Sequence, residues 1–361
     1  SILTDSGVSR KLLFSLLEEN NNMLEVMGMK IFDLVSSVSK SYLNESVLAL
    51  CRDVSSKAAH IYNGTDWKLE DLQQKLEKTL GKIVYNRIEL RKHVLTKLLD
   101  LPSGEPKIHD EQLAKIAKNF VAPPYKEDLR VEPFDSDGPL VVITGRLSKQ
   151  KGIDTLLDAF KLVVKKIPDA KLLMMVLPIS GEEELIEYTM KRAIKMRKNV
   201  RCLLGVAPSI YVPAHIAADV YACPSRFEPF GIMALEGMAC GVPVVATRTG
   251  GLQETVIDIR NDPFNATGLL SPVEDVDELA NNLETILALS LILEKNDMAF
   301  AKLIPFEKIV KIIETTPDYY ELLRKNCILR VEQNFTWTHA AKMAIDRYGL
   351  AIKNHSLVKG K

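Results

Sequence analysis

The sequence predicts an α/β protein built on a doubly wound parallel sheet over residues 139–290, with a helix-rich α/β part before it. Apolar segments and helix-like segments alternate strictly across this range, which indicates parallel strands joined by crossover helices. The apolar segments, among them PLVVITG, AKLLMMVL and VPVVAT, are continuous and bounded by turns, as strands buried on both faces are. The segments between them carry apolar residues at helical spacing.

The part of the chain before the sheet is less regular. Residues 31–39 and 61–64 are predicted to contain short strands, the second ending at an Asn-Gly turn. Residues 68–100 predict two helices broken near Gly81. Proline and turn-forming residues are concentrated further on, and indicate a linker. The predicted domains are a partial N-terminal domain at 1–121, a linker at 122–138, the sheet domain at 139–290 and a C-terminal helical extension at 291–361.

Inside the sheet domain, the first strand is followed by five more strand segments, which read AKLLMMVL, NVRCLLG, DVYACP, VPVVAT and GLLSP. A helical segment separates each strand from the next, and DVDELANNLETIL is helical after the last one. Doubly wound sheets bind their ligands at the carboxyl ends of the strands. Binding residues are therefore expected in the loops that follow the strands.

Composition excludes several classes of function. The chain has 361 residues with 47 basic and 47 acidic side chains, so it lacks the basic excess of a dedicated nucleic-acid binder. No run of about eighteen apolar residues occurs, and the first residues lack the apolar stretch of a signal peptide. The five cysteines have no metal-ligand spacing. We expect a cytoplasmic protein, and the composition leaves its oligomeric state open.

The loop after the first strand, GRLSKQKG, places two cations at a strand end. Arg146 and Lys151 lie just before a helix, with Gly145 and Gly152 beside them. A guanidinium and an ammonium at a helix N-terminus suit a diphosphate, and glycine lets the backbone approach a ligand closely. A solvated charged loop is the alternative. The glycine patterns of P-loops and dinucleotide-binding loops are absent.

A second loop and helix, SRFEPFGIMALE, follow the fourth strand. Glu228 lies in the loop, where it can accept hydrogen bonds from hydroxyl groups, and Glu236 lies inside the helix. The helix N-terminus can offer backbone N–H groups from about Phe230 to Met233 to a polar ligand. A carboxylate in an apolar helix needs a partner when it is buried. The partner of the Glu236 carboxylate is either a ribose diol or a cation in a salt bridge, and the sequence leaves both alternatives open.

Together these blocks resemble a known family. SRFEPFGIMALE, the MACGVPVVATRTGGL that follows and GRLSKQKG upstream closely resemble the C-terminal domain of retaining glycosyltransferases of two-Rossmann (GT-B) architecture. PSRFEPFG and TRTGGL look most like bacterial and archaeal glycogen or starch synthases. MALEGMACGVPVVAT is also shared with sucrose-synthase-like and lipid-glycosylating relatives. The resemblance is strong over about 139–290 and weaker over 31–67.

The resemblance implies a role for each residue singled out. Arg146 and Lys151 would hold the diphosphate of a nucleotide sugar and stabilise its departure. Glu228 would contact the donor glucose and help orient its anomeric centre, and Glu236 would bind the ribose hydroxyls. The loop at 205–211 would lie near the base. Backbone N–H groups for the sugar would come from Phe230, Gly231 and Ile232.

The implied reaction is transfer of glucose, with retention, from ADP-glucose or UDP-glucose to the non-reducing end of an α-1,4-glucan. No cofactor and no metal would be needed, because two cations stabilise the leaving diphosphate. The partners would be a nucleotide sugar and an α-glucan acceptor, with no nucleic acid and no membrane. Two alternatives stay open: a retaining transferase with a lipid or small-sugar acceptor, and a non-catalytic nucleotide-sugar-binding protein.

The first part of the sequence departs from the family. The Lys-x-Gly-Gly-Leu loop and the histidine that lies near the donor sugar are not identifiable there. The residues before the sheet domain are few for a complete Rossmann half and a linker. The chain is therefore expected to lack the start of its N-terminal domain and to be inactive alone. Asp135 and Asp137 resemble the metal site of another glycosyltransferase class, but no second ligand group flanks them, so a solvated turn is predicted.

Overall fold

The structure, a computed structural model, describes residues 10–359. Residues 1–9 and 360–361, the outer ends of the predicted N-terminal domain and C-terminal extension, lie outside the described residues. By contacts the chain divides into two compact units: Gly64–Thr336, and the described residues of Ser1–Asn63 with Trp337–Lys361. The helices assigned to the N-terminal domain from the sequence, which follow residue 63, therefore cluster with the sheet.

The smaller unit contains a short parallel strand pair. Strands β1 (Val35–Ser37) and β2 (Ala58–His60) pair in parallel, and the Ile61 N–H extends the pairing to the Ser37 carbonyl at 2.8 Å. The strand predicted at 31–39 is thus shortened, since Ile31 still belongs to a helix. The strand predicted at 61–64 is wrong in its position, because the observed strand ends at His60. The helical segments of this unit are α1 (Arg10–Glu19), α2 (Leu24–Ile31), the stretch 40–50, the 3-10 turn Arg52–Lys57 and the C-terminal helix (Trp337–Lys359).

The larger unit begins with helices before its sheet. The predicted helix break near Gly81 is confirmed, because this glycine ends the first of them with a φ of 66°. Asp110 caps the third: its carboxylate accepts hydrogen bonds from Gln112 N at 2.8 Å and Leu113 N at 3.1 Å. These helices are α3 (Leu69–Leu80), α4 (Arg87–His93, continued by the turn Val94–Leu98) and α5 (Glu111–Lys118).

The predicted doubly wound parallel sheet is confirmed. In the described chain its six strands have the order β5-β4-β3-β6-β7-β8, and every neighbouring pair is parallel. The order reverses between β3 and β6, which makes this the topological switch point where such sheets bind ligands. The strands are β3 (Leu140–Leu147), β4 (Lys171–Pro178), β5 (Val200–Leu204), β6 (Val220–Cys223), β7 (Val244–Thr247) and β8 (Gly268–Ser271).

Crossover helices cover both faces of the sheet, so the strand residues are buried along nearly their whole length. Asp275 caps the longest of these helices by accepting from Glu278 N at 2.9 Å. None of the helices in the described residues is long and apolar enough to cross a membrane. The helices from β3 onward are α6 (Ile153–Lys166), α7 (Glu183–Lys195), α8 (Pro208–Ala217), α9 (Ile232–Ala239), α10 (Leu252–Thr255), α11 (Val276–Lys295), α12 (Glu307–Thr315) and α13 (Tyr319–Asn334).

A buried ion cluster joins α4 to the sheet. Asp219, directly before β6, is fully buried and pairs with Arg87 and, at 3.1 Å, with Arg91. It also accepts hydrogen bonds from Leu140 N at 2.7 Å and Ser290 Oγ at 2.5 Å. Burial alone would raise the pKa of Asp219, but the two guanidinium groups outweigh it and lower the pKa to about 2. The pairing gives a physical reason why α4 belongs to the sheet unit.

Asp137 contributes to the same cluster. Its carboxylate binds the guanidinium of Arg91 through both oxygens, at 3.0 and 2.9 Å. The segment that holds Asp135 and Asp137 was predicted to be a solvated turn. Asp137 is instead a structural anion that faces a buried arginine.

Candidate active site

The candidate site lies at the switch point of the sheet. Strand β3 carries Gly145 and Arg146 at its carboxyl end, and β6 runs into the loop that holds Glu228. Because β3 and β6 are neighbours, Lys151 and Glu228 meet although they are 77 residues apart in the sequence. The sheet order thus explains why two distant sequence blocks form one site.

The two loops are packed backbone to backbone. Gly152 has a φ of 62°, and a Cβ atom on it would lie 2.1 Å from the Pro224 carbonyl oxygen. Arg226 N donates to the Gln150 carbonyl, and the Gln150 side chain donates to the Phe227 carbonyl, both at 2.8 Å. A side chain at residue 152 would force these loops apart, so glycine is required there.

Lys151 and Glu228 form an ion pair. Lys151 Nζ lies 2.5 Å from Glu228 Oε2, and the two residues are only 8% and 9% exposed. Ser225 Oγ donates to the same carboxylate oxygen at 3.4 Å. The residues predicted to bind diphosphate and sugar are therefore in direct contact with each other.

Arg146 differs from Lys151. Its side chain is exposed, and it makes no ion pair with any residue that the structure describes. It therefore presents a positive charge at the strand end, where Lys151 is already neutralised by Glu228.

Arg146 and Lys151 line a cavity of about 580 Å³. Most of its remaining wall is apolar, and the loop at 205–211, expected near the base, supplies a large part of it. Ligand pockets of this size commonly combine apolar walls with a few polar groups. The other lining residues are Gly145, Met175, Leu177, Gly205, Val206, Ala207, Pro208, Tyr211, Val212 and Met233.

The Glu228 and Glu236 carboxylates are not part of the cavity wall, but each contacts a residue that is. Glu228 does not line it but contacts Lys151, which does. Glu236 does not line it either, and accepts a hydrogen bond from the hydroxyl of the lining residue Tyr211 at 2.9 Å. Glu236 makes no salt bridge within residues 10–359, so the alternative of a structural ion pair is not what the structure shows. Burial raises the pKa of Glu236, and the Tyr211 hydrogen bond opposes this rise.

The start of α9 occupies the predicted position beside Glu228. Gly231 has a φ of 99° and precedes the first helical residue, Ile232, which is 37% exposed. Phe230 is 2% exposed and packs against Phe335 with ring centroids 5.9 Å apart. A helix N-terminus leaves its first N–H groups without partners inside the helix. Residues 230–232 therefore lie at the start of this helix, and the Phe230 side chain is part of the core.

Arg226 is a residue whose importance the sequence analysis missed, although it lies inside PSRFEPFG. Its guanidinium binds the Asp154 carboxylate through two hydrogen bonds at 2.9 and 2.8 Å, and Glu274 at 2.6 Å. A bidentate arginine–carboxylate pair fixes orientation as well as distance. Arg226 thus anchors the Glu228 loop to the first turn of α6, directly after Lys151.

Comparison with known proteins identifies a family for the part of the chain that contains the sheet. Residues 124–301 match the family model "Glycosyl transferases group 1". A probable glycogen synthase of Methanocaldococcus jannaschii is 26% identical over 231 residues, which cover 62% of this chain and 43% of that protein. A GDP-mannose-dependent phosphatidylinositol monomannoside mannosyltransferase of Mycolicibacterium smegmatis is 36% identical over 162 residues, covering 42% and 39%.

A solved structure shows the same fold at low identity. The catalytic domain of starch synthase IV from Arabidopsis thaliana, bound to ADP and acarbose, is 20% identical, with a TM-score of 0.57 over 91% of this chain and 57% of that one. The chain thus spans less than half the length of the two curated relatives and 57% of the starch synthase chain. Residues 124–301 are a domain of the glycosyl transferases group 1 family, in a chain of GT-B fold that is similar to glycogen and starch synthases.

Proposed function

We propose that the switch-point cavity binds a nucleotide sugar, and that the protein transfers glucose from ADP-glucose or UDP-glucose, with retention, to the non-reducing end of an α-1,4-glucan. The observation that carries the proposal is that two cations, Arg146 and Lys151, line a largely apolar cavity, with Glu228 in contact with one of them. The diphosphate would bind the cations and the nucleoside the apolar wall.

The arrangement suits the departure of a diphosphate. In the transition state negative charge grows on the leaving group while positive charge grows on the anomeric carbon. Fixed cations near the diphosphate stabilise the first change more than they stabilise the ground state, and this lowers the barrier. Arg146 and Lys151 supply that charge without a metal ion. Glu228, beside Lys151, would accept hydrogen bonds from the glucose hydroxyls.

A second candidate function keeps the reaction and changes the acceptor. The mannosyltransferase from Mycolicibacterium smegmatis is more identical to this chain than the glycogen synthase of Methanocaldococcus jannaschii is, at 36% against 26%, although over a shorter range. A lipid or small-sugar acceptor is therefore the alternative to the glucan. A further alternative is a non-catalytic nucleotide-sugar-binding protein, which would bind the donor without transferring its sugar.

Calorimetric titration with ADP and UDP tests binding, and incorporation of labelled glucose into glycogen tests transfer. We expect modest affinity for at least one nucleoside diphosphate and very slow or no transfer by this chain alone, because it spans only 43% of its glycogen synthase relative. Rapid incorporation would show that the chain is sufficient for activity. If the folded protein bound neither nucleotide, the site proposal would be wrong.

Arg146→Ala should weaken the binding of nucleoside diphosphate by about 1–3 kcal/mol and leave nucleoside binding nearly unchanged, because only the phosphate contact is lost. Added salt should weaken wild-type binding and affect the variant less. Lys149→Ala is the matched control, since Lys149 is an exposed cation of the same loop that does not line the cavity. Equal losses for nucleoside and diphosphate would indicate a disturbed fold instead.

Glu228→Gln should lower turnover at least about tenfold, or ~1.4 kcal/mol, in a form of the protein that turns over, and change donor affinity less. The substitution keeps the shape of the side chain and removes the charge that faces the sugar. Glu187→Gln is a suitable control, because Glu187 also pairs with a lysine, Lys191, but on the exposed face of α7. Unchanged turnover in Glu228→Gln would remove this residue from the site.

A further inference from the structure

Tyr211 connects the apolar wall of the cavity to Glu236. It lies on α8 and lines the cavity, while Glu236 lies on α9. Its hydroxyl is 2.9 Å from Glu236 Oε2. No other hydrogen bond to the Glu236 carboxylate is found in the described part of the chain, so Oε1 remains available to a ligand.

The donors and acceptors present determine which group donates in the hydrogen bond between Tyr211 and Glu236. A carboxylate only accepts, so the Tyr211 hydroxyl must donate to Glu236. Thr144 Oγ1, 3.5 Å away, can then donate to Tyr211. The Tyr221 hydroxyl donates to Thr144 Oγ1 at 2.5 Å and accepts from Thr144 N at 3.1 Å. These groups form a partly buried chain in which every hydroxyl both donates and accepts, and such chains strengthen the last bond, here the one to Glu236.

The Tyr211 ring is held by packing. The Trp67 ring meets it edge-on, with centroids 5.8 Å apart and an interplanar angle of 89°, and the His215 ring lies 4.6 Å away. The Tyr211 carbonyl accepts from His215 Nδ1 at 2.7 Å, which places the proton on that nitrogen. Burial lowers the pKa of His215 to about 4, so the ring is neutral at pH 7 and adds no charge beside Glu236.

We propose that Tyr211 is a positioning residue that holds Glu236 in the ionised form and orientation needed to accept hydrogen bonds from the ribose diol of the donor nucleotide. The inference rests on the proposed function, in which Glu236 binds the ribose. The carboxylate faces the titratable groups Tyr211, Tyr221 and Cys240, and burial raises the pKa of each, so all are neutral at pH 7. Tyr211 is thus the group that keeps the pKa of Glu236 from rising further.

The test is Tyr211→Phe, which keeps the ring and removes the donor. Titrations would compare ADP with 2′,3′-dideoxy-ADP, which lacks the diol. We expect the variant to bind ADP about tenfold more weakly, the loss of one hydrogen bond to a charged group, with little change for the dideoxy analogue. Without the tyrosine the pKa of Glu236 rises, so ADP affinity should begin to fall at a higher pH than in the wild type as the solution is acidified.

Tyr320→Phe is the matched control. Tyr320 is fully buried, and its hydroxyl donates to the Asp219 carbonyl at 2.7 Å, so the variant also loses one buried hydrogen bond. It should leave the ratio of ADP to dideoxy-ADP affinity and the pH profile unchanged.

The outcomes separate the inference from the proposed function. If folded Tyr211→Phe keeps the wild-type ratio and pH profile, the positioning role is overturned while nucleotide binding stands. If the wild type binds both nucleotides equally, Glu236 does not contact the ribose and the inference fails, but diphosphate binding survives. If the wild type binds no nucleoside diphosphate, the proposed function itself fails.

Discussion

Asp219→Asn should lower the free energy of unfolding by about 3–5 kcal/mol, the effect typical of removing one partner from a buried ion pair. Asparagine nearly matches aspartate in size but carries no charge, so two buried guanidinium groups lose their shared anion. Arg91 keeps Asp137 and Glu294 as partners, whereas Arg87 keeps only the hydroxyl of Ser290 and the face of the Tyr320 ring. Denaturant titration of the purified variant measures the loss.

Asp137→Asn provides the control, because this carboxylate is 24% exposed and binds only one of the two arginines. We expect a loss of about 1 kcal/mol or less there, as for partly exposed pairs. Similar losses for the two variants would show that burial of Asp219 does not determine the effect.

The same cluster predicts a pH dependence. The pKa of Asp219 is about 2 in the folded protein, below the value of about 3.9 for an unfolded aspartate. Its contribution is therefore fully present above about pH 4 and is lost as the pH falls from there toward 2. Asp219→Asn should show a smaller loss of stability across that interval than the wild type does.

Gly152→Ala should weaken nucleoside diphosphate binding by about ten- to a hundredfold, the effect of losing one hydrogen bond between charged groups. The new Cβ would lie 2.1 Å from the Pro224 carbonyl oxygen, and one of the two loops must move to relieve the contact. That movement displaces the neighbouring Lys151 from its position in the cavity wall, where it would meet the diphosphate. Calorimetric titration with ADP and UDP, together with thermal unfolding, measures both consequences.

Gly181→Ala isolates the effect of the contact. Gly181 also has a positive φ, 88°, but an added Cβ there would meet nothing within 4 Å. The control should lose about 1 kcal/mol of stability from backbone strain and keep its affinity for nucleotide. If Gly152→Ala binds nucleotide as tightly as the wild type does, nucleotide binding does not depend on the observed distance between the two loops.

The alternation of strands and helices is a local, periodic property, and for that reason the sequence predicts the sheet, its crossovers and the loops at the strand ends. Arg146, Lys151 and Glu228 could be singled out because each lies at or shortly after the carboxyl end of a predicted strand; in the structure Arg146 is still within β3. The contacts that define the site could not be predicted from the sequence. The Lys151–Glu228 pair and the Tyr211 bond to Glu236 depend on which strands and helices are neighbours, and periodicity does not encode that order.

The extent of the sheet unit could not be predicted from the sequence either, for a related reason. Residues 64–121 have the composition of ordinary amphipathic helices, and Arg87 and Arg91 look like surface cations in such a pattern. Only the fold shows that both are buried against an aspartate more than 120 residues later. Single charged residues in a helix give no signal of distant pairing, so the sequence alone does not show that this segment clusters with the sheet.

If the protein acts on a nucleotide sugar as proposed, the ion pair between Lys151 and Glu228 would let the site distinguish the sugar nucleotide from the bare nucleotide. A diphosphate alone would have to draw Lys151 away from Glu228 and leave that carboxylate nine-tenths buried without a counter-charge. A donor that also carries glucose would offer hydroxyl groups to the released carboxylate in the same event. The two halves of the donor would therefore bind cooperatively, each lowering the cost of accommodating the other. After transfer, the nucleoside diphosphate would lack the sugar that made its contact with Lys151 favourable, and re-forming the ion pair would promote its release.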